Sequence, residues 1–186
     1  NFNMYSKVER KYLDISYSNM MNNSKELTKV GAQWKFAMGF IPGKENEGLV
    51  AQVEGSEARL PSYDDSDWEI CSDIRRSHSK GFTFGWYRIT MSVPSTIEGV
   101  DVSGWRVFFE TNADNYGEVW VNGLIDRSVG TIVGLNLPQR IEITEELATE
   151  RTIIVACLVA NGPLGEPRGG IFLRHATLAF ENTDNY

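Results

Sequence analysis

The sequence predicts an all-β protein, an antiparallel β-sandwich of the jelly-roll type. Three observations predict it. About eight short segments rich in β-branched and aromatic residues follow one another, separated by Gly, Pro, Asn and Asp. Beyond residue 31 only TEEL at 144–147 has the makings of a helical turn, with Thr144 as its expected cap. Five Trp, seven Tyr and nine Phe in 186 residues suffice for one core of ordinary domain size, with some aromatics left to face a ligand.

Residues 1–30 stand apart as a polar, Asn- and Ser-rich arm. Tyr5, Val8, Tyr12 and Ile15 fit one helical stripe, so a short helical or irregular arm is expected, followed by a sandwich domain over 31–186. QWKFAM (33–38) is the first β segment and LVAQV (49–53) the second, with a loop at 42–48 between them. YDDSDWE (63–69) reads as a turn closed by Asp and Ser side chains, with Trp68 anchoring it to the core.

GWYRITMSVP (85–94) is a long strand ended by Pro94, which cannot continue a central ladder. WRVFFE (105–110) and YGEVWV (116–121) follow. Asn122-Gly123 after the second of these signals a tight hairpin turn, because both residues tolerate positive φ. RIEI (140–143), the continuous apolar run 152–160 and the closing segment 170–180 complete the set. In the closing segment strict alternation puts Ile171, Leu173, His175, Thr177 and Ala179 on one face, and Phe172, Arg174, Ala176, Leu178 and Phe180 on the other. Trp34, Trp68, Trp86, Phe108, Val119 and Val155 are the expected core.

The formal charge of −7 argues against nucleic acid, whose phosphates need clustered Lys and Arg. Two cysteines make no disulfide framework; Cys157 sits in an apolar run and reads as a core residue. The composition reads as that of a soluble protein, with no stretch long enough to span a bilayer and no membrane partner expected. The first residue is Asn rather than Met, which suggests trimming or a fragment; no cleavable signal is visible and the compartment stays open.

The segments YDDSDWE, GWYRITMSVP, ADNYGEVWVNG (113–123), IEITEEL (141–147) and RGGIFLRHATLAF (168–180) occur in an order that resembles the galactose-binding-like β-sandwich domains accompanying glycoside hydrolases, such as the sugar-binding domain of family 2 enzymes. Residues 86–180 are also similar to the β-sandwich extension of some bacterial gluconolactonase-like proteins, without their propeller repeats. The resemblance spans roughly residues 31–181 and implies a fold. Such domains bind sugars, bind other ligands or brace a neighbour, and the family 2 catalytic pair lies in a separate barrel domain, so no catalytic residue carries over.

Tyr116, Glu118 and Trp120 alternate on one face of their strand, beside Asp114 and Asn115. A carboxylate and aromatic faces on one surface suit a pyranose. The competing reading makes Trp120 core and pairs Glu118 with an Arg. Glu166 and Arg168 lie in a long Gly/Pro-rich loop and would clamp a hydroxylated or anionic compound. His175, with Glu110, Asp114 or Glu118, would supply acid–base chemistry. No zinc spacing occurs and no cofactor is expected; Asp64, Asp65 and Asp67, or Asp101 and Asp114, offer oxygen ligands for a structural calcium.

Two functions from different classes emerge. One is a non-catalytic binding module for a carbohydrate or other polyhydroxylated small molecule, through Tyr116, Glu118, Trp120, Glu166, Arg168 and His175. The other is a small enzyme with acid–base or hydrolytic chemistry on an organic substrate, using His175, Glu118 and Asp114. Self-association, or a catalytic partner protein, completes the partner set.

Overall fold

The computed structural model describes residues 8–17, 30–38, 57–78, 83–113, 116–133, 138–161 and 170–182. The strand expected at 49–53 and the loop at 42–48 lie outside them. Two antiparallel sheets form the sandwich. The six-stranded sheet runs β3 (Glu69–Cys71), β2 (Trp34–Met38), β4 (Thr83–Ser92), β11 (Thr152–Asn161), β8 (Tyr116–Val121), β9 (Thr131–Val133). The four-stranded sheet runs β1 (Glu9–Asp14), β12 (Leu173–Asn182), β7 (Arg106–Ala113), β10 (Gln139–Glu142). A two-stranded ribbon, β5 (Thr96–Ile97) with β6 (Val100–Asp101), follows β4. The all-β antiparallel sandwich expected from the sequence is therefore the observed fold.

The core lies between the sheets. From the six-stranded sheet Trp34, Tyr87, Ile89, Val119, Val155 and Cys157 turn inward, and from the other Leu13, Phe109, Leu178 and Phe180 meet them. The Trp34 and Phe109 rings face each other across the gap at 6.4 Å. Buried polar atoms are largely satisfied by backbone, as such a core requires: Trp34 Nε1 donates to the Ile15 carbonyl at 2.7 Å, and the Tyr87 hydroxyl to the Ile171 carbonyl at 3.3 Å. Cys71 and Cys157 are both free and buried.

Four details correct the sequence reading. The helical stripe of the N-terminal arm is a strand over Glu9–Asp14, zipped antiparallel along β12. Its true period is two, with Leu13 and Ile15 buried and Tyr12 exposed, because an edge ladder supplies hydrogen bonds that a lone helix would have to make itself. In β12 a bulge at Arg174 breaks the alternation, so Leu173 sits opposite Ala113 while His175 sits opposite Asn112. Leu173 therefore shares the inner face with Ala176, Leu178 and Phe180 rather than with His175.

The helix α1 (Thr144–Thr149) forms where the sequence placed a helical turn, but Thr144 is not its cap. Its hydroxyl instead accepts the Val107 N–H at 2.9 Å, fixing α1 to β7. Finally, all six expected core residues are buried, but Phe108 lies on the outer face of its sheet, beneath the Arg140 guanidinium at 3.6 Å.

The Asn122-Gly123 turn is as expected, with φ of 48° and 82° and Val121 and Leu124 exchanging backbone bonds of 2.8 and 3.0 Å. Gly123 is doubly required, since a Cβ there would also come within 3.0 Å of Pro61. Pro61 belongs to a strap, residues 57–68, that crosses the outer face of the six-stranded sheet. It starts with a single 3-10 turn (Glu57–Arg59) and ends at Trp68. Among the described residues no helix is long and apolar enough to cross a membrane.

Candidate functional site

The strap is fixed to the sheet by Arg88 of β4, only 2% exposed. Its guanidinium donates to Asp65 Oδ2 at 2.8 Å, to the Leu60 carbonyl at 2.7 Å and to the Tyr63 carbonyl at 3.3 Å, while Lys35 Nζ reaches Asp65 Oδ1 at 3.1 Å. The turn at 63–68 closes locally, as its Asp and Ser residues predict: Ser66 N–H donates to Asp64 Oδ1 at 3.0 Å, and Trp68 N–H to the Asp65 carbonyl at 3.0 Å.

This geometry opens a recess of about 550 Å³ at the β2–β3 edge, walled by Tyr63 and Trp68 and by Met38, with Asp64, Asp67 and Glu69 on its rim. The Tyr63 and Trp68 rings lie 5.5 Å apart at 59°. The Asp64 carboxyl is held below its ordinary value by the hydrogen bonds from Ser66. The sequence reading saw the turn and its Trp anchor but not the recess. The signal was there in the density of acids and aromatics in YDDSDWE; what was missing was β2 beside it.

Tyr116, Glu118 and Trp120 do share one face, the outer face of β8. Glu118 is 2% exposed, and its carboxylate accepts from the Tyr116 hydroxyl at 2.5 Å, Arg127 Nη1 at 2.6 Å and Trp120 Nε1 at 3.3 Å. Arg59 of the strap and Arg127 both sit over the Trp120 ring, at 5.6 and 5.8 Å. Burial, and then the bond to Glu118, push the Tyr116 hydroxyl up to about 12. A buried carboxylate with three donors, one of them a cation, organises its neighbours. Arg127, from the β8–β9 connection, is the partner the sequence reading did not name.

His175 lies elsewhere. β12 belongs to the four-stranded sheet and β8 to the six-stranded one, so the expected convergence of Glu118 and His175 does not occur. From β7 to β12 the chain changes sheet after β7, β9, β10 and β11, which local sequence does not reveal. His175 is half-buried on the outer face, where burial lowers its pKa and Glu110 and Asp14 partly restore it. Asp114, Glu166 and Arg168 lie outside the described residues. Of the calcium candidates, Asp65 is taken by Arg88 and Lys35, and Asp101 accepts from Ser103. Among the described residues no three acidic, His or Cys side chains surround a point where a metal could sit.

A second cleft, about 510 Å³, opens between the β8–β9 connection and β10, with Leu124, Ile125 and Val129 facing Phe108 and Arg140. It is largely apolar, with no aromatic pair on its walls.

No family model and no curated protein matches the sequence. Solved structures do match. A Bacteroides uniformis β-glucuronidase superposes with a TM-score of 0.57 at 20% identity, over 92% of this chain and 18% of that one. A Faecalibacterium prausnitzii β-glucuronidase gives 0.57 at 13% identity, over 94% of this chain and 32% of that one. A Lactobacillus rhamnosus β-glucuronidase gives 0.55 at 15%, over 93% and 28%. Another match is a β-glucuronidase described as from glycoside hydrolase family 2. The chain thus has the β-sandwich fold found in these enzymes, and spans less than a third of the length of the three compared here.

Proposed function

We propose that this chain is a non-catalytic binding module for a carbohydrate or another polyhydroxylated small molecule, received in the recess at Tyr63 and Trp68. The observation that carries the reading is the half-buried Tyr63 ring, tilted against the buried Trp68 and bordered by exposed carboxylates. A pyranose offers C–H faces to such rings and hydroxyls to such carboxylates. The likeness to sugar-processing enzymes supports it at the level of fold. The binding reading is favoured over the acid–base one because Glu118 is held by three donors and lies in the other sheet from His175, so these two do not meet. In this reading Tyr116, Glu118 and Trp120 brace the strap and the β8–β9 connection. Calorimetry against a panel of oligosaccharides tests it. Tyr63→Ala should weaken binding about tenfold, with a modest fall in melting temperature from the lost contact with Trp68. Binding that survives Tyr63→Ala but fails in Tyr116→Ala would move the site to the Glu118 cluster.

A further inference from the structure

We propose that the cleft between β10 and the β8–β9 connection takes up an extended peptide as a fifth strand of the four-stranded sheet, a peptide with alternating apolar side chains and a lysine or arginine. Among the described residues β10 is the last strand of that sheet and pairs on one side only, with β7. Ile143 N–H donates to the Val107 carbonyl at 2.8 Å, and two residues earlier Ile141 lies opposite Phe109. Alternation along an antiparallel ladder therefore turns the backbone N–H and C=O groups of Arg140 and Glu142 away from β7, toward the open edge. Arg140, Ile141 and Glu142 all line the cleft, so this edge borders it. An unpaired edge is a template for a strand from another chain.

The opposite wall is apolar and fixed. Leu124 and Val129 are 77% and 37% exposed, with Ile125 beside them, and Val119, Val121 and Ile141 reach the cleft from the core. The Ser128 N–H and hydroxyl donate to Asp126 Oδ1 at 3.0 and 2.6 Å, and Gly130 N–H to the Asp126 carbonyl at 2.7 Å, which fix that wall in place. A strand laid along β10 turns every second side chain toward it. An apolar small molecule would fill the same volume, about 510 Å³, but would leave the edge groups of Arg140 and Glu142 unpaired. Charge narrows the occupant further. Arg140 is bonded to Glu110 and Glu181, and Glu142 to Arg106, whereas Asp126 and Glu146 on the same cleft have no cation partner among the described residues. A basic side chain on the peptide complements them. Pairing β10 with a second copy of itself would instead bring two sets of these carboxylates together.

The experiment titrates a fluorescent eight-residue probe, valine alternating with threonine and lysine at both ends, into the intact chain, with anisotropy for affinity and amide NMR for location. Binding should shift the Arg140 and Glu142 amides and slow their hydrogen exchange. Backbone N-methylation of one alternate set of probe residues should weaken binding by about tenfold or more, and methylation of the other set should not, because only one set faces β10. Leu124→Asp, at an exposed position, should weaken binding about tenfold with little change in melting temperature. Glu146→Gln should weaken it less, and only at low salt. No binding at millimolar probe overturns the proposal. Binding that leaves both amides unmoved overturns strand addition. Equal binding of a probe with glutamate in place of lysine overturns the charge selection. A concentration-dependent dimer that Leu124→Asp dissolves overturns the peptide and makes a second copy of the chain the occupant.

Discussion

The outer faces of the two sheets carry arginine in opposite ways. On the six-stranded sheet Arg88 is sealed beneath the strap, with Asp65 and two carbonyls as acceptors, although its Nε has none. On the four-stranded sheet Arg10, Arg106 and Arg140 lie in the open, bridging Glu181, Glu142 and Glu110 in a lattice over Phe108. The first arrangement fixes one segment in one place, because a buried charge tolerates little departure from its partners. The second shields an aromatic ring with arginines that stay partly in solvent, and its open pair, Arg106 with Glu142, is worth little in energy. Buried charge on the six-stranded sheet positions the strap; charge on the four-stranded sheet serves as cover.

The sharpest break of that comparison would come from matched substitutions. Arg88→Met should cost about 3 to 5 kcal/mol in urea unfolding, since Asp65 and two strap carbonyls lose their partner. Arg106→Met, which releases the exposed pair with Glu142, should cost less than about 1 kcal/mol. Equal costs would mean that the strap is not what Arg88 holds.

A smaller gap separates two adjacent phenylalanines. Phe109→Ala, in the core against Trp34, should cost about 3 to 5 kcal/mol. Phe108→Ala should cost roughly half as much, because arginine side chains can settle onto the vacated surface. If Phe108 proves the costlier, its cover behaves as a true core.

The smallest effect is in pH. Burial lowers the pKa of both His78, stacked on Phe36 at 3.9 Å, and His175 from the ordinary 6.5. The unfolded chain then takes up protons first as pH falls, so their contribution is present above about pH 6.5 and is lost as pH drops through the folded values. Stability should decline from pH 7 to 5, and ring titrations followed by NMR should lie below 6.5 for both. A histidine titrating above 6.5 would mean that its acidic neighbours outweigh its burial.

Much of this was readable in advance. Alternation placed Tyr116, Glu118 and Trp120 on one face, and Asn122-Gly123 forced its turn, because both rest on the dihedral preferences of a few neighbouring residues. The arm was misread because Tyr5, Val8, Tyr12 and Ile15 happen to share helical spacing, while Leu13 and Ile15 are the pair that the core uses. The faces of the closing segment failed at Arg174, since a bulge depends on the partner strand. No local pattern tells which sheet a strand joins, so the separation of His175 from Glu118 is not legible in the sequence.

By itself, then, the sequence determined an antiparallel sandwich, most of its strands, its tight turn and the residues that share a face. These follow from side-chain period and backbone preference, which act within a few residues. Tertiary structure alone decided which sheet each strand joins, that Glu118 meets Arg127, and that Tyr63 and Trp68 wall a recess beside β2. Those outcomes depend on long-range contacts, where burial and charge pairing choose among arrangements that local preference leaves equal.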